Sequence, residues 1–173
     1  MNTQTMLNST THRAILTFQL AQQKYGIPVH HIRQIIEMVT ITHLPQLPPA
    51  IQGVINYRGT LVPVLDLRLR FQQPYQQYGL HTPIILVEQN NHILGLVVDL
   101  VETVLEIDPE DCIATELVLT SINNDILANQ YVTEIAKVNR DLLPIIAINK
   151  LLSAQESAQL SQTLSTLPGA HSS

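Results

Sequence analysis

The sequence predicts a mostly β fold: two small five-stranded β-barrel subdomains packed around a shared core, with short helical turns and a C-terminal helix. Three observations predict it. Short apolar runs rich in β-branched residues recur between polar turn segments, which is the pattern of successive hairpins. No long helical period separates those runs, so the strands close on themselves instead of building a parallel sheet. The chain also repeats. Moved by 69 positions, Ile15 falls on Ile84, Phe18 on Val87, Gly26 on Gly95, Ile27 on Leu96, Val29 on Val98, Ile32 on Val101, Ile35 on Val104, Ile36 on Leu105 and Glu37 on Glu106. Moved by 81, Leu61-Val62-Pro63-Val64-Leu65 falls on Leu142-Leu143-Pro144-Ile145-Ile146. The difference between the two shifts puts about twelve additional residues in the second half, within 108–130. Apolar strands alone would not align Gly, Glu and Pro, so the pattern reads as a duplication. One half is too small to bury much by itself, and the two are expected to pack together.

Each element follows from local chemistry. Residues 1–13 are polar and aperiodic and read as a flexible tail. Ile15 to Leu20 and Tyr25 to Val29 read as strands joined by a turn at Ala21 to Lys24. Pro28 lacks a ladder donor, so the second strand lies at an edge or ends there. Val29, Ile32 and Ile36 stand at the spacing of a short helical turn, and Ile35 to Ile41 returns to alternation. Leu44 to Pro49 is a loop stiffened by three prolines. Gly53 to Tyr57 and Thr60 to Leu67 read as a hairpin with its polar tip at Asn56 to Gly59. Residues 72–82 form a polar connection. Ile84 to Val87 and Ile93 to Val98 make the next hairpin, turning at Asn90-Asn91, and Val101, Val104 and Leu105 repeat the helical spacing. Residues 108–130 fit no single pattern. Tyr131 to Val138 and Leu142 to Ile148 form a last hairpin around Asn139-Arg140-Asp141. Leu151 to Leu167 reads as an amphipathic helix opened by Ser153, with Glu156 three residues on. The organisation is then a tail over 1–13, one two-barrel domain over 14–152, and a C-terminal helix and tail over 153–173.

Composition excludes several functions. The net charge is −5 and aromatic residues are 4%, whereas an oligonucleotide-binding barrel needs a basic groove and stacking rings. The single cysteine, Cys112, permits no internal disulfide and suits a reducing compartment. No apolar stretch is long enough to span a membrane, and the N-terminus has no signal-peptide pattern, so a cytoplasmic location is expected. His30 and His31 are adjacent and diverge in either a strand or a helix, which disfavours a metal site. No phosphate-cradling loop, nucleophile elbow or zinc-protease motif is present. The expectation is therefore no catalytic residues, no metal and no cofactor. Only 13% of residues are charged, and this shortage suggests that part of the surface is covered by partners.

The segment Gly53-Val54-Ile55-Asn56-Tyr57-Arg58-Gly59-Thr60-Leu61-Val62-Pro63-Val64-Leu65-Asp66-Leu67-Arg68 resembles the hallmark of CheW-like domains, G-V-x-N-L-R-G-x-I-x-P-V-x-D-L-R. Tyr25 to Val29, Ile36-Glu37-Met38 and the proline loop are similar to the family's N-terminal region. Gly95-Leu96-Val97-Val98-Asp99-Leu100-Val101 is similar to its G-L-x-V-D-x-V. The likeness spans roughly residues 14–152. Tyr57 stands where the family usually has Leu, and Ile146 to Leu152 departs from the acidic L-D-x-x-K-L-L. The resemblance implies a non-enzymatic adaptor that links the cytoplasmic tip of methyl-accepting chemoreceptors to the regulatory domain of a CheA-type histidine kinase. It also implies recruitment to membrane-bound receptor arrays without membrane insertion, in a flagellar or type IV pilus pathway. A small-molecule-binding β-barrel is the alternative reading; it requires polar groups converging in an apolar pocket.

The partner-binding residues that the resemblance implies are Glu37, Val54, Ile55, Asn56, Tyr57, Arg58, Gly59, Val98, Asp99 and Val101. Of these, Val54, Ile55, Val98 and Val101 can serve either as contact surface or as core. Arg58 is the focus: a guanidinium suits a carboxylate, and the glycine after it can fix where it points. The bland reading is a solvated turn arginine. Because the family places both residues near one groove, Glu37 is the expected partner of Arg58, in a pair that shapes the groove more than it stabilises the fold.

Overall fold

The computed structural model describes residues 11–115 and 130–168. Its strands are β1 (Arg13–Leu20), β2 (Gln23–Pro28), β3 (Ile32–Glu37), β4 (Ile51–Tyr57), β5 (Thr60–Asp66), β6 (Pro83–Gln89), β7 (His92–Val97), β8 (Leu100–Ile107), β9 (Cys112–Ala114), β10 (Val132–Val138) and β11 (Asp141–Ile146). Two helices, α1 (Leu67–Arg70) and α2 (Ala154–Ser165), complete the described elements together with three short 3-10 turns.

The duplication is visible in the element bounds. β2 and β7 are 69 positions apart at both ends, and β4 and β10 are 81 apart at both ends. Yet neither sheet belongs to one half. The five-stranded sheet runs β3-β6-β7-β5-β4, and the six-stranded sheet runs β8-β1-β2-β11-β10-β9. Each half lends its first hairpin to the other half's sheet. β7 joins β5, and β2 joins β11, through short parallel pairings. Neither sheet could form from one half alone.

Both sheets curl towards closure. Beyond β3, Thr42 pairs with Val54 of β4 through two backbone bonds of 2.8 and 2.9 Å. That approach needs Gly53, whose φ is +145° and where a Cβ would lie 2.2 Å from the Thr42 carbonyl oxygen. In the six-stranded sheet, β8 continues through the turn Pro109–Asp111 into β9, so one stretch of chain borders both edges.

The strands carry three apolar clusters. Ile55, Val62, Val64, Ile84, Leu86 and Val97 fill the first barrel. Ile15, Ile107, Ala136, Leu143 and Ile145 fill the second. Between them lies a larger shared core that includes Phe18, Tyr25, Ile27, Leu65, Ile85, Val87, Leu96 and Ile148. Strand alternation explains the division: in β6, Ile84 and Leu86 face the barrel while Ile85 and Val87 face the shared core. Strands buried on both faces read as continuous apolar runs, and that is how Ile84 to Val87 reads. Gly26 and Gly95 both face barrel interiors. A Cβ on Gly26 would lie 2.6 Å from Ile15 and 2.7 Å from Ile145; on Gly95 the nearest atom, on Ile84, would be 3.1 Å away.

Two helical expectations are corrected. Only Val29–His31 forms a 3-10 turn; Ile32 and Ile36 lie in β3, and Val101, Val104 and Leu105 lie in β8. The reason is a register shift in each strand's pairing, between Ile32 and Gln34 and opposite Leu16 and Phe18. A bulge changes the phase of alternation, so apolar residues facing two different cores fall at helical spacing. The C-terminal helix forms as the sequence predicts. Ser153 Oγ accepts from Glu156 N at 3.1 Å and Glu156 returns to Ser153 N at 2.8 Å. Leu160 anchors the helix in the shared core, and Arg70 of α1 meets Glu156 at 2.9 Å. Burial pushes the Glu156 carboxyl up, but the Ser153 N–H and Arg70 outweigh it and hold it below the usual carboxylate range. The tail expected over 1–13 and the segment 116–129 lie mostly or wholly outside the described residues.

Candidate partner-binding surface

The hairpin of β4 and β5 turns at Arg58 and Gly59, with φ of 51° and 82°. Two successive left-handed residues give the turn that matches strand twist. Asn56 Oδ1 accepts from Gly59 N at 2.9 Å, so the amide of Asn56 is committed to shaping the turn. Arg58 itself is exposed at the tip.

The neighbours of Arg58 differ from the expected ones. Glu37 meets His81 Nδ1 at 2.8 Å, with both side chains mostly exposed, and no Glu37–Arg58 ion pair forms among the described residues. Instead the Arg58 guanidinium lies over the Tyr57 ring, 5.2 Å from its centroid. Its Nη2 also makes a long hydrogen bond of 3.4 Å to Gln34 Oε1. The Tyr57 hydroxyl donates to the same oxygen. Because β3 and β4 are the two terminal strands of their sheet, this contact ties the barrel's edges together beside the tip. Arg13, Lys24, Arg33, Arg68 and Arg70 each meet a carboxylate within 4.0 Å. Among the described residues, Arg58 meets none.

The other expected contact residues divide differently. Val54, Ile55 and Val98 are buried, with exposures of 3%, 1% and 1%. Of the two readings the sequence leaves open for them, core or contact surface, their burial matches core. Ile55 packs inside the first barrel, Val98, just beyond β7, packs in the shared core, and Val54 is covered where Thr42 pairs with it. Val101 packs partly buried against the shared core, opposite Phe18. Asp99 is taken up by structure: it receives Arg68 Nε at 2.6 Å and the Ala21 backbone N–H at 2.8 Å. It thereby clips the turn between β1 and β2 to the start of α1. Among the described residues, no hydrogen bond or ion pair joins this group to the Arg58 tip.

Gln34, His81, Asp66, Arg68 and Tyr78 were missed as site or support residues. Asp66 caps α1 by accepting from Arg68 N at 2.8 Å and Leu69 N at 3.3 Å, and Tyr78 donates to its other oxygen. Burial and then Asp66 push the Tyr78 phenol far above its ordinary value, so it remains a donor. The Asp before an apolar helix start was a readable cap signal. The distant partners carried no spacing signal.

Exposed apolar side chains occur at equivalent places in the two halves: Ile35 on β3 is 41% exposed and Val104 on β8 is 49% exposed. The barrel bores are filled by side chains. A groove of about 900 Å³ lies outside them, between α2 and the β5–β7 region, floored by Leu61, Pro63, Val87 and Leu94. A ligand-holding barrel interior is thus not what these residues build.

The family model of CheW-like domains matches residues 14–156. That range includes both barrels and the tip. The chain belongs to the CheW-like family. It is similar to the chemotaxis protein CheW of Klebsiella aerogenes, 32% identical over 154 residues, covering 88% of this chain and 89% of that one. It is 25% identical over 152 residues to the CheW of Treponema pallidum, covering 84% of this chain and 85% of that one. The crystal structure of the scaffolding protein TtCheW from Thermoanaerobacter tengcongensis superposes with a TM-score of 0.74 at 29% identity, covering 84% of this chain and 95% of that one. The CheW-like family is one of non-enzymatic scaffolds, and its two-subdomain β fold is the one described above. No helix among the described residues is long and apolar enough to cross a membrane.

Proposed function

We propose that this chain is an adaptor without catalytic activity, one that couples methyl-accepting chemoreceptors to a CheA-type histidine kinase in a chemosensory pathway. The observation that carries the reading is the family match, which runs unbroken through both barrels. The tip supports it: Arg58 is an exposed cation on a stiff turn, free of a neutralising carboxylate among the described residues. Such a group is placed to meet an acidic residue of another protein. The exposed apolar side chains Ile35 and Val104 add surface suited to protein contact. The chain acts in the cytoplasm and is recruited to receptor arrays by its partners. It binds no nucleic acid, metal or cofactor. The contacts are mainly apolar with few charges, so affinity depends weakly on salt.

The test is capture with the full chain as bait. Co-purification of a CheA-type kinase together with receptors supports the reading. Capture of neither, or turnover of ATP that follows the chain through purification and is lost on a point substitution in it, overturns it. Loss of affinity by orders of magnitude between low and moderate salt would overturn the mainly apolar contact.

A further inference from the structure

We infer that Tyr57 and Gln34 are positioning residues that hold Arg58 with neutral groups alone, keeping its whole charge for a carboxylate on the partner protein. The inference rests on the adaptor reading and deepens it. Three observations converge. Gln34 Oε1 accepts from both the Tyr57 hydroxyl and Arg58 Nη2. The guanidinium lies on the ring of the same tyrosine, 5.2 Å from its centroid. The carboxylate that could have taken this place, Glu37, is engaged by His81 instead.

The chemistry of this triangle differs from that of an ion pair. A guanidinium has five N–H donors in a rigid fork. Here the hydrogen bond to Gln34 uses Nη2 alone, and the ring face holds the plane without removing charge. Among the described residues, no other group takes the remaining donors. Had Glu37 paired with Arg58, an incoming carboxylate would have to displace an existing one, and much of the attraction would cancel. Gln34 and Tyr57 orient the fork without that competition. Their position also stiffens it, because Gln34 stands on β3 and Tyr57 on β4, the two ends of one sheet. Tyr57 matters twice, through its ring and its hydroxyl, and a leucine at this position would supply neither.

The test uses substitutions that separate holding from charge. Purified full-length variants are titrated with a CheA-type kinase regulatory domain and with a receptor cytoplasmic fragment, and melting is recorded alongside. The informative partner is the one whose affinity falls in Arg58→Ala. Tyr57→Leu is expected to weaken that affinity roughly tenfold, and Tyr57→Phe, which keeps the ring, roughly threefold, as befits one or two modest interactions. Gln34→Glu is the decisive variant. It holds Arg58 at least as firmly but neutralises it, and is expected to weaken binding roughly tenfold with an unchanged melting temperature. Rescue by Gln34→Asn would be partial, since it keeps a neutral acceptor on a shorter arm. Wild-type affinity in Gln34→Glu or Tyr57→Leu, with Arg58→Ala weakened, overturns the inference and leaves the adaptor reading standing. Wild-type affinity of Arg58→Ala for both partners overturns the inference and the role of the tip together.

Discussion

The two hairpin tips that the duplication makes equivalent are filled differently. The β4–β5 tip places Arg58 at φ 51°, and the β10–β11 tip places Asn139, 81 positions on, at φ 57°. The left-handed region suits asparagine and costs a long side chain roughly 1–2 kcal/mol. Both tips place a left-handed residue at this position, and the second supplies asparagine for it; the first continues into a second left-handed residue, Gly59, which the second tip does not repeat at Arg140. At the first, a cation is held in the unfavoured conformation by Gly59, the Asn56 bond and the contacts to Tyr57 and Gln34. The contrast supports the proposed partner role of Arg58, although a left-handed long side chain is not peculiar to it: Gln22, Gln46 and Gln72 adopt φ of 71°, 62° and 57°. Gly26 and Gly95 make a parallel contrast: both spare a crowded barrel interior, but the crowding is greater at Gly26.

The largest expected effect breaks or confirms that second contrast. Gly26→Ala should destabilise the protein by roughly 1–3 kcal/mol, the usual range for overpacking a filled core, and Gly95→Ala by clearly less. Chemical denaturation of both measures this, and equal losses would mean that the two interiors are equally tight. A smaller effect concerns α2, packed on the shared core beside Arg70. Glu156→Ala removes both half of the capping box and the Arg70 contact and should cost about 1–2 kcal/mol. Because the Glu156 carboxyl is held below its ordinary range, its contribution is present above about pH 4.5 and lost as pH falls through the folded value. The stability gap between wild type and Glu156→Gln should accordingly shrink in acid; a gap that persists there would show that charge is not what Glu156 supplies. The smallest effect is an exchange of tips. Arg58→Asn should raise stability by up to roughly 1 kcal/mol and Asn139→Arg should lower it by a similar amount, read as denaturation midpoints at constant slope. Opposite signs would remove the argument that Arg58 is held against its backbone preference.

Much of the fold was legible because its signals are local. The turns at Asn90-Asn91 and Asn139, the alternation of the hairpins and the Ser153–Glu156 capping box each depend on neighbours in sequence. The repeat was legible because Gly26 and Gly95 answer the same steric demand twice, and Pro63 and Pro144 hold equivalent places in β5 and β11. The exchange of hairpins between halves was not, because a strand's sequence states which faces are buried but not which strand lies beside it. The helical spacing of Val101 and Leu105 misleads for a related reason: a bulge imitates helical spacing when two cores flank one strand. At the site, the motif located Arg58 and its exposure. It could not exclude Glu37 as its partner, since Gln34 and Tyr57 meet only when the barrel closes. Val54, Ile55 and Val98 looked alike as core or contact, because apolar character is common to both.

The proposed role of Arg58 is to serve a partner and not the fold. It is tested most directly by receptor-dependent control of a CheA-type kinase, reconstituted with Arg58→Asn beside Asn139→Arg. Arg58→Asn should melt at or above the wild-type temperature and yet lose coupling by roughly tenfold or more, as expected for a desolvated charge contact removed from an interface. Asn139→Arg should couple normally while melting earlier. Normal kinase control by a folded Arg58→Asn protein would contradict the claim and return Arg58 to an ordinary solvated turn residue.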